Sequence, residues 1–542
     1  MTIEDKLKCY ESLKSEYQSY HTYMQVLHDH FFISSENINR SYNLGTELDY
    51  SQLWDATSIN AVKVAVAGVH SYLTPPNSKW FDLTIGGRNE FASYAVRRWL
   101  SDVTDETNYI LGRSNFDQQS DSFYASSFVY GTALMYCEED IDDIVRFKTV
   151  PIKNVYMVED AKERVVEFYI KHEYTVFQAV TEFGINNLSK EMVEEFNNNR
   201  HNPKKYEFLH YVGKRAYYDI NKMDNKNMPW ASEWYDCKNK KLVRESGYQE
   251  NPFGVHRFYK RSNMVQGFSP CMDSLPFVRT LNTIVETNII GAQTVVRPPL
   301  DVPDQGYITQ FNLNPGALNI RRANVSKDNG IRPITTGARP DIGIEFQEMY
   351  KDIRQALFND IFMAFADITK QMTIPEVRER VTEKMSMLGP AVGRYQTEYL
   401  QSIIERTVAI AYRNGRLPEP PREILENPEY KIKYVSPLAL AQRAGELTAL
   451  QNMVVAAQNL SQTFPTVLDK IDSDAVIDVI AQMTGAPMNT LNSDEKVADI
   501  RNQRAQQQQA QSQLVEADMM SDMVEKAGNT ERNLAQAERA RK

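Results

Sequence analysis

Between Thr2 and His30, apolar or aromatic residues recur every three or four places, at Leu7, Tyr10, Leu13, Tyr17, Tyr20, Met24 and Leu27, with no Pro or Gly among them. That spacing predicts one amphipathic helix. From Ser58 to Leu73 the only Lys, Arg, Asp or Glu is Lys63, and Thr74-Pro75-Pro76 follows. A buried helix is expected there, ending where proline forbids another turn. Between Ile144 and Tyr174 the pattern changes to β-rich runs such as Val165 to Ile170, and similar runs recur around Tyr206 to Val212 and Trp234 to Val243. Cys237-Lys238-Asn239-Lys240 reads as a hairpin turn, while Val176 to Phe183 and Ser189 to Asn197 read as short helices. The first half is therefore an α+β region.

Ser269 to Gln293 places Leu275, Val278, Leu281, Val285, Ile289 and Ala292 on one stripe, which predicts a helix some ~30 Å long. The next stretch, Val295 to Asp341, holds Pro298-Pro299, Pro303, Pro315-Gly316, Asn329-Gly330, Pro333 and Pro340, a density of turn formers that leaves room only for short strands and loops. Ile342 to Ile361 is helical again, with Ile344, Met349, Ile353, Leu357 and Ile361 as its apolar positions. The unit is a helix, a turn-rich insert and a returning helix. Beyond Phe362 to Met372, Thr373-Ile374-Pro375-Glu376 starts a long helix that runs to about Asn414 and is expected to bend at Gly389-Pro390. A β-like run, Tyr430 to Val435, leads into a helical region up to Thr484-Gly485. The tail from Asp494 is rich in Gln, Ala, Glu and Arg and polar on most faces, so it is expected to be disordered alone or to pack against copies of itself.

A chain of 542 residues exceeds what one core sustains, and 42% hydrophobic content supplies at least two folded regions. The net charge of −10 argues against a protein that coats nucleic acid by neutralising phosphates. Cys9, Cys137, Cys237 and Cys271 are too scattered for a zinc knuckle or redox dithiol and read as reduced core thiols. The N-terminus lacks a secretory pattern and no run approaches the ~20 apolar residues of a membrane span, so a cytoplasmic site of synthesis is expected and no membrane partner.

Chemical motifs are sparse. Gly213-Lys214 precedes Arg215 in a β-like run and is no phosphate loop, and Gly86-Gly87 lacks a dinucleotide setting, so no cofactor is expected. His28 and His30, two apart on a helix, point to different faces and read as surface or interface residues rather than metal ligands. Glu138-Glu139-Asp140 with Asp142 and Asp143 reads as a solvated loop. The insert carries Arg297, Arg321, Arg322, Lys327, Arg332 and Arg339 against four Asp residues, a basic surplus suited to an acidic partner or to DNA phosphates, with ion pairing between subunits as the plainer use. No enzyme signature is present. The residues alone leave open a carboxylate-based hydrolase or a helical adaptor that forms no ring.

Several strings, in their order and separation, resemble the portal proteins, or head-to-tail connectors, of short-tailed T7-like phages. They are Leu73-Thr74-Pro75-Pro76 with Trp80-Phe81-Asp82-Leu83; Ser114-Asn115-Phe116 with Tyr130-Gly131-Thr132-Ala133; Asn251-Pro252-Phe253; Arg378 and Arg380 before Leu388-Gly389-Pro390; Arg394, Glu398-Tyr399-Leu400 and Arg406; and Tyr434-Val435-Ser436-Pro437-Leu438-Ala439 with Gln442-Arg443. The resemblance implies a predominantly helical α+β portal fold assembled as a ring, usually a dodecamer, at one capsid vertex of the virion. It further implies a wing over 1–270, stem helices over 271–292 and 342–361, a clip over 293–341, a tunnel loop over 362–374, a bent wing helix with return strand over 375–436, a crown over 437–493 and a barrel helix over 494–542. The implied function is a passive channel for packaging and ejecting genomic double-stranded DNA. Implied partners are the terminase large subunit, a tail adaptor, the major capsid protein and scaffolding or internal core proteins. Lys370, Gln371 and Phe365 become candidates for DNA contact, with an Asp367 salt bridge as the alternative use of Lys370, and the six basic residues of the insert become candidates for the partner interface.

Overall fold

The computed structural model describes residues 2–33, 38, 53–76, 78–85, 93–219, 222, 224–262, 264–304, 312–322, 332–334, 343–363, 388–426, 430–435, 437–461, 464, 470–484, 492 and 494–540. Its contacts divide the chain into two compact units, the larger comprising Met1–Asp82, Val103–Pro418 and Ile432–Ala449.

The larger unit begins with α1 (Ile3–Glu16), where the Thr2 hydroxyl accepts from the Asp5 amide and the Asp5 carboxylate accepts from the Thr2 amide. Such reciprocal capping satisfies two amides that a helix start leaves unpaired. The single helix expected here is two, because the chain breaks at Tyr17 before α2 (Gln18–Phe31). Tyr17 is buried, its ring tilted against Tyr156 at 5.1 Å and its hydroxyl donating to the Met157 carbonyl at 3.4 Å. The histidines of α2 also depart from expectation. His28 and His30 are both buried, where α2 packs on neighbouring helices, with His30 Nδ1 2.9 Å from the Val26 carbonyl. Burial lowers the His30 pKa.

Helix α3 (Thr57–Leu73) ends at Thr74, as its proline stop requires, and buries Ala61, Val62, Ala65, Val66 and Val69. After β1 (Phe81–Ile85), α4 (Tyr94–Arg113) and α5 (Phe116–Tyr130), Gly131 turns the chain in the left-handed region at φ 76°. It enters β2 (Thr132–Asp140), which pairs antiparallel with β3 (Ile144–Val150). The acidic cluster is therefore the end and turn of a hairpin rather than a free loop: the Asp143 amide donates to Asp140 Oδ2 at 3.0 Å, and burial raises the Glu138 carboxyl.

Strands β4 (Val155–Glu159) and β5 (Val165–Thr175) are followed by α6 (Val176–Phe183) and α7 (Lys190–Asn198), then by β6 (Lys205–Lys214), β7 (Trp230–Asp236) and β8 (Lys241–Tyr248). The five strands form one sheet in sequential order, with antiparallel neighbours throughout. Alternation along β6 decides which layer each residue joins. Leu209 and Tyr211 face Leu7, Tyr10 and Tyr17, while Tyr206 and Phe208 face Ala179, Phe183 and Met192. The sheet is thus sandwiched between α1–α2 and α6–α7. Strand β9 (Phe253–Arg257) pairs with β2, and β10 (Tyr259–Lys260) pairs with β11 (Gly267–Phe268) before the chain enters α8 (Pro270–Val296).

A turn-rich insert after α8 forms β12 (Leu300–Asp304), β13 (Leu318–Arg322) and β14 (Arg332–Pro333), followed by α9 (Gly343–Ala356), α10 (Asn359–Phe362) and α11 (Gly389–Arg394). Pro390 sits in the first turn of α11, directly after the turn residue Leu388, and the residues before Leu388, where the expected long helix would run, lie outside the described residues. Thr373 to Glu376, expected to start the long helix, lie outside the described residues, as do Gly86 and Gly87. A π-helical turn, Tyr395–Leu400, continues α11 into α12 (Gln401–Arg413), and Gly415 closes it at φ 65°.

The smaller unit comprises Leu83–Asp102, Glu419–Lys431 and Leu450–Lys542. It holds α13 (Arg422–Glu426), whose Glu423 accepts from the Ser93 hydroxyl at 2.8 Å. Strand β15 (Tyr430–Tyr434) pairs with β1 and precedes α14 (Pro437–Ser461), α15 (Ser473–Thr484) and α16 (Asp494–Ala540). The polar tail is a continuous helix of 47 residues, tied to α15 by Arg501–Asp474 at 2.7 Å.

Candidate functional site

The helix–insert–helix unit is built outward from the larger unit. The Ser269 hydroxyl accepts from the Met272 amide at 3.1 Å and donates to the Val129 carbonyl at 2.8 Å, so one side chain both caps α8 and fixes it to α5. Cys271, Met272, Leu275, Val278 and Leu281 are buried. Asn282 completes the anchor: its Oδ1 accepts from the Trp54 and Asp55 amides at 2.8 and 3.0 Å. Past Asn282 the helix emerges from this packing: Val285 and Ala292 of the stripe are half-buried, Ile289 is 37% exposed, and Val296 at the end of the helix is 79% exposed.

The face of α8 opposite that seam carries a row of threonines, Thr280, Thr283, Thr287 and Thr294. At 100° per residue the four fall within a sector of about 60°. Each hydroxyl donates to the carbonyl four residues back, at 2.8 to 3.0 Å. The row is thus polar without charge, and Arg279 and Glu286 are the only Lys, Arg, Asp or Glu between Pro276 and Val296. Its spacing was present in the sequence; reading α8 by its apolar stripe alone passes over it.

The insert is a three-stranded sheet with β12 in the middle, parallel to β13 and antiparallel to β14. Asn319 points into it, donating to the Asn312 carbonyl at 2.5 Å, while Leu318 and Ile320 point outward and are exposed. Short strands and loops were expected here, and the described residues form them. Of the basic residues, Arg297 caps the C-terminus of α8 and is exposed, Arg321 and Arg322 end β13, and Arg332 begins β14. Lys327 and Arg339 lie outside the described residues.

The returning helix differs from expectation. Instead of one helix from Ile342 to Ile361, α9 ends at Ala356 and α10 begins at Asn359, with Phe358 left-handed at φ 59° between them. The buried Asn359 explains the break: its amide donates to the Ala61 carbonyl at 2.8 Å and to Leu357's own carbonyl at 3.1 Å, holding the turn to α3. Ile353, Leu357 and Ile361 remain on the buried side. Phe365, Lys370 and Gln371 lie outside the described residues.

Where the chain resumes, the π-helical turn presents Glu398 to a buried ion network. Arg257 Nη2 and Nε donate to the Glu398 carboxylate at 3.0 and 3.2 Å, and Arg257 also pairs with Glu159. Lys260 meets Glu159 at 2.8 Å and Arg394 meets Glu398 at 3.1 Å. Arg257 and Lys260 are nearly inaccessible, so this is a cluster whose charges depend on one another. Three cations face two carboxylates. Beside it, Tyr395 stacks on His256 at 3.4 Å and donates to the Ser127 hydroxyl, itself 2.5 Å from His256 Nδ1. This Ser–His contact is sealed in the core, and burial holds the imidazole far below its usual pKa. It joins α5, β9 and the π-helical turn. Arg394 and Glu398 stand among the strings that carry the sequence resemblance, whereas Glu159, Arg257, Lys260, Ser127 and His256 were not singled out from sequence, being scattered along the chain.

Among the described residues no cluster of His, Cys, Asp or Glu suits a metal ion, and no helix is long and apolar enough to cross a membrane. A family model described as bacteriophage head to tail connecting protein matches residues 4–491. The chain is 30% identical over 519 residues to the portal protein of Salmonella phage epsilon15, covering 94% of this chain and 92% of that one. It is 29% identical over 534 residues to the probable portal protein of Bordetella phage BPP-1, covering 96% and 93% respectively.

Proposed function

Because the chain belongs to the bacteriophage head to tail connecting proteins and serves as a portal protein, we propose that copies of it close into a ring, of twelve subunits, around a channel for duplex DNA at one vertex of the capsid. The observation that carries this reading is α8. Its inner half is anchored by Ser269 and Asn282, and its outer half leaves Ile289, Ile290, Val295 and Val296 exposed among the described residues. Copies standing side by side would cover them.

In this ring α8 and α9 are the stem, the insert is the clip, residues 362–374 are the tunnel loop and 494–542 the barrel. The threonine row of α8 faces the bore. Duplex DNA carries a charge every ~1.7 Å, so a cationic wall would hold it by counterion release, whereas hydroxyls already bonded to their own backbone give it little to grip. The acidic net charge suits the same task. Lys370, with Gln371 and Phe365, supplies the few local contacts. The clip, a basic surface on an acidic chain, docks the terminase large subunit and then a tail adaptor. The wing meets the major capsid protein, and the crown and barrel meet scaffolding or internal core proteins.

End-on electron microscopy and native mass measurement of the purified protein test this. A closed ring of about twelve copies is expected, and a monomer at high concentration would refute it. Lys370→Ala is expected to lower DNA packaged or retained per particle while leaving the ring intact. A broken ring with normal packaging would reverse that assignment.

A further inference from the structure

Where β6 begins and β7 turns into β8, the end of the five-stranded sheet meets α7 in a group of lysines. Lys238 and Lys204 both reach Glu191 in the first turn of α7, at 2.6 and 3.3 Å, and Lys204 also reaches Glu195 at 3.3 Å. Lys241 donates to the Asn187 carbonyl at 3.3 Å, on the turn Ile185–Asn187 that links α6 to α7. These contacts bring Lys190, Lys204, Lys205, Lys238, Lys240 and Lys241 to one end of one layer, and all six are exposed. Facing them on α7 are Glu191, Glu194 and Glu195, half their number, in a chain whose net charge is −10. Glu191 is already held by Lys238 and Lys204, which lower its pKa. Glu173 and Glu207, on β5 and β6, pair with Lys171. Lys190, Lys205, Lys240 and Lys241 form no ion pair among the described residues, which leaves four cations open to a partner.

The same layer exposes apolar side chains that its own core does not use. Helices α6 and α7 pack on the sheet through Val176, Ala179, Phe183, Leu188 and Met192. Phe177 and Ile185 are left outside, 43% and 37% exposed, at the two ends of α6, with the Phe177 ring 5.4 Å from that of His201. A phosphate backbone has no use for either, whereas the apolar side of a peptide segment does. Lysine, a point charge on a flexible stem, can follow carboxylates spread along such a segment. We propose that α6, α7 and the adjoining end of the sheet form a docking surface for an acidic amphipathic segment of another protein, whose apolar side chains meet Phe177 and Ile185 and whose carboxylates meet Lys190, Lys205, Lys240 and Lys241. The surface is built from one copy of the chain and does not rest on the ring.

The experiment uses the full-length protein and three probes: a helical peptide with Leu at every seventh position among Glu residues, poly-glutamate of the same length, and a DNA duplex. The peptide is expected to bind about tenfold more tightly than poly-glutamate, through the added apolar contact, and the duplex more weakly than either. The triple variant Lys190→Glu/Lys205→Glu/Lys240→Glu is expected to weaken the peptide about a hundredfold at low salt and much less at high salt. Phe177→Ser is expected to bring the peptide down to the affinity of poly-glutamate while leaving poly-glutamate unchanged, a split that general damage would not give. All four side chains are exposed, so melting temperatures are expected to match the parent protein. Should the Glu variants disturb folding, the matching Gln variants carry the test with a smaller loss. Failure of the peptide to bind, or binding indifferent to the lysines and to Phe177, overturns the proposal. Tighter binding of the duplex overturns it too, by making the patch a phosphate surface. So does a ring that opens when the lysines are reversed, since the patch would then belong to a contact between copies.

Discussion

Arg257 holds the strongest single argument at the scale of one side chain. It is nearly inaccessible and shared between Glu159 and Glu398, so removing Glu398 leaves three cations facing the one carboxylate of Glu159. Glu398→Gln is expected to cost about 3 to 5 kcal/mol, read as a lower denaturation midpoint at unchanged slope. The buried histidines give a pH dependence. Burial among Trp234 and Tyr174 lowers His172 from 6.5 to about 3. Above pH 6.5 it is neutral in both folded and unfolded chains and contributes no pH dependence. Between 6.5 and about 3 the unfolded chain takes up a proton that the folded one refuses, so stability falls as the solution is acidified, by about 1.4 kcal/mol per pH unit while this single group governs. His172→Phe keeps the aromatic contacts, and its melting temperature is expected to fall less steeply on acidification. These residues were hard to find in advance. A histidine within a β-rich run reads the same whether it faces solvent or a tryptophan, and for His28 and His30 the sequence reading chose the wrong side.

Among elements, those bounded by proline, glycine or a capping side chain were legible almost to the residue. Helix α3 stops at Thr74-Pro75, α6 spans the expected positions, and the Cys237 to Lys240 turn joins β7 to β8. The misreadings share another cause. Tyr17, Phe358 and the π-helical turn at Tyr395 interrupt segments whose apolar spacing continues unbroken, and in each case the interruption serves a contact from a distant part of the chain: Met157 for Tyr17, Ala61 for Asn359 beside Phe358, and Ser127 for Tyr395. Local periodicity carries no record of such partners. Helix α8 gives the test at this scale. Val296 is exposed in the single chain, so Val296→Asp is expected to leave helix content and melting of the isolated subunit unchanged yet prevent ring closure, as judged by native mass. Thr287→Lys is expected to preserve the ring and retain DNA with a steeper dependence on salt, by roughly one more counterion per contact made.

For the molecule as a whole, the sequence resemblance and the family match agree on a portal protein. The order of helix, insert and returning helix was readable because turn formers crowd between two apolar stripes. The anchors Asn282 and Asn359, which tie that unit to α3 and the segment before it, were not, because a lone asparagine in an apolar stripe gives no sign of the backbone it will meet. Helix α16 carries a last consequence. At 1.5 Å per residue its 47 residues measure about 70 Å, so it can serve as a ruler whose length and angular phase are separately adjustable. Excising seven residues shortens it by about 10 Å and turns everything beyond by only about 20°, whereas excising five removes less length and rotates the far end by about 140°. A pair of such trims would tell whether whatever meets its far end responds to distance or to orientation.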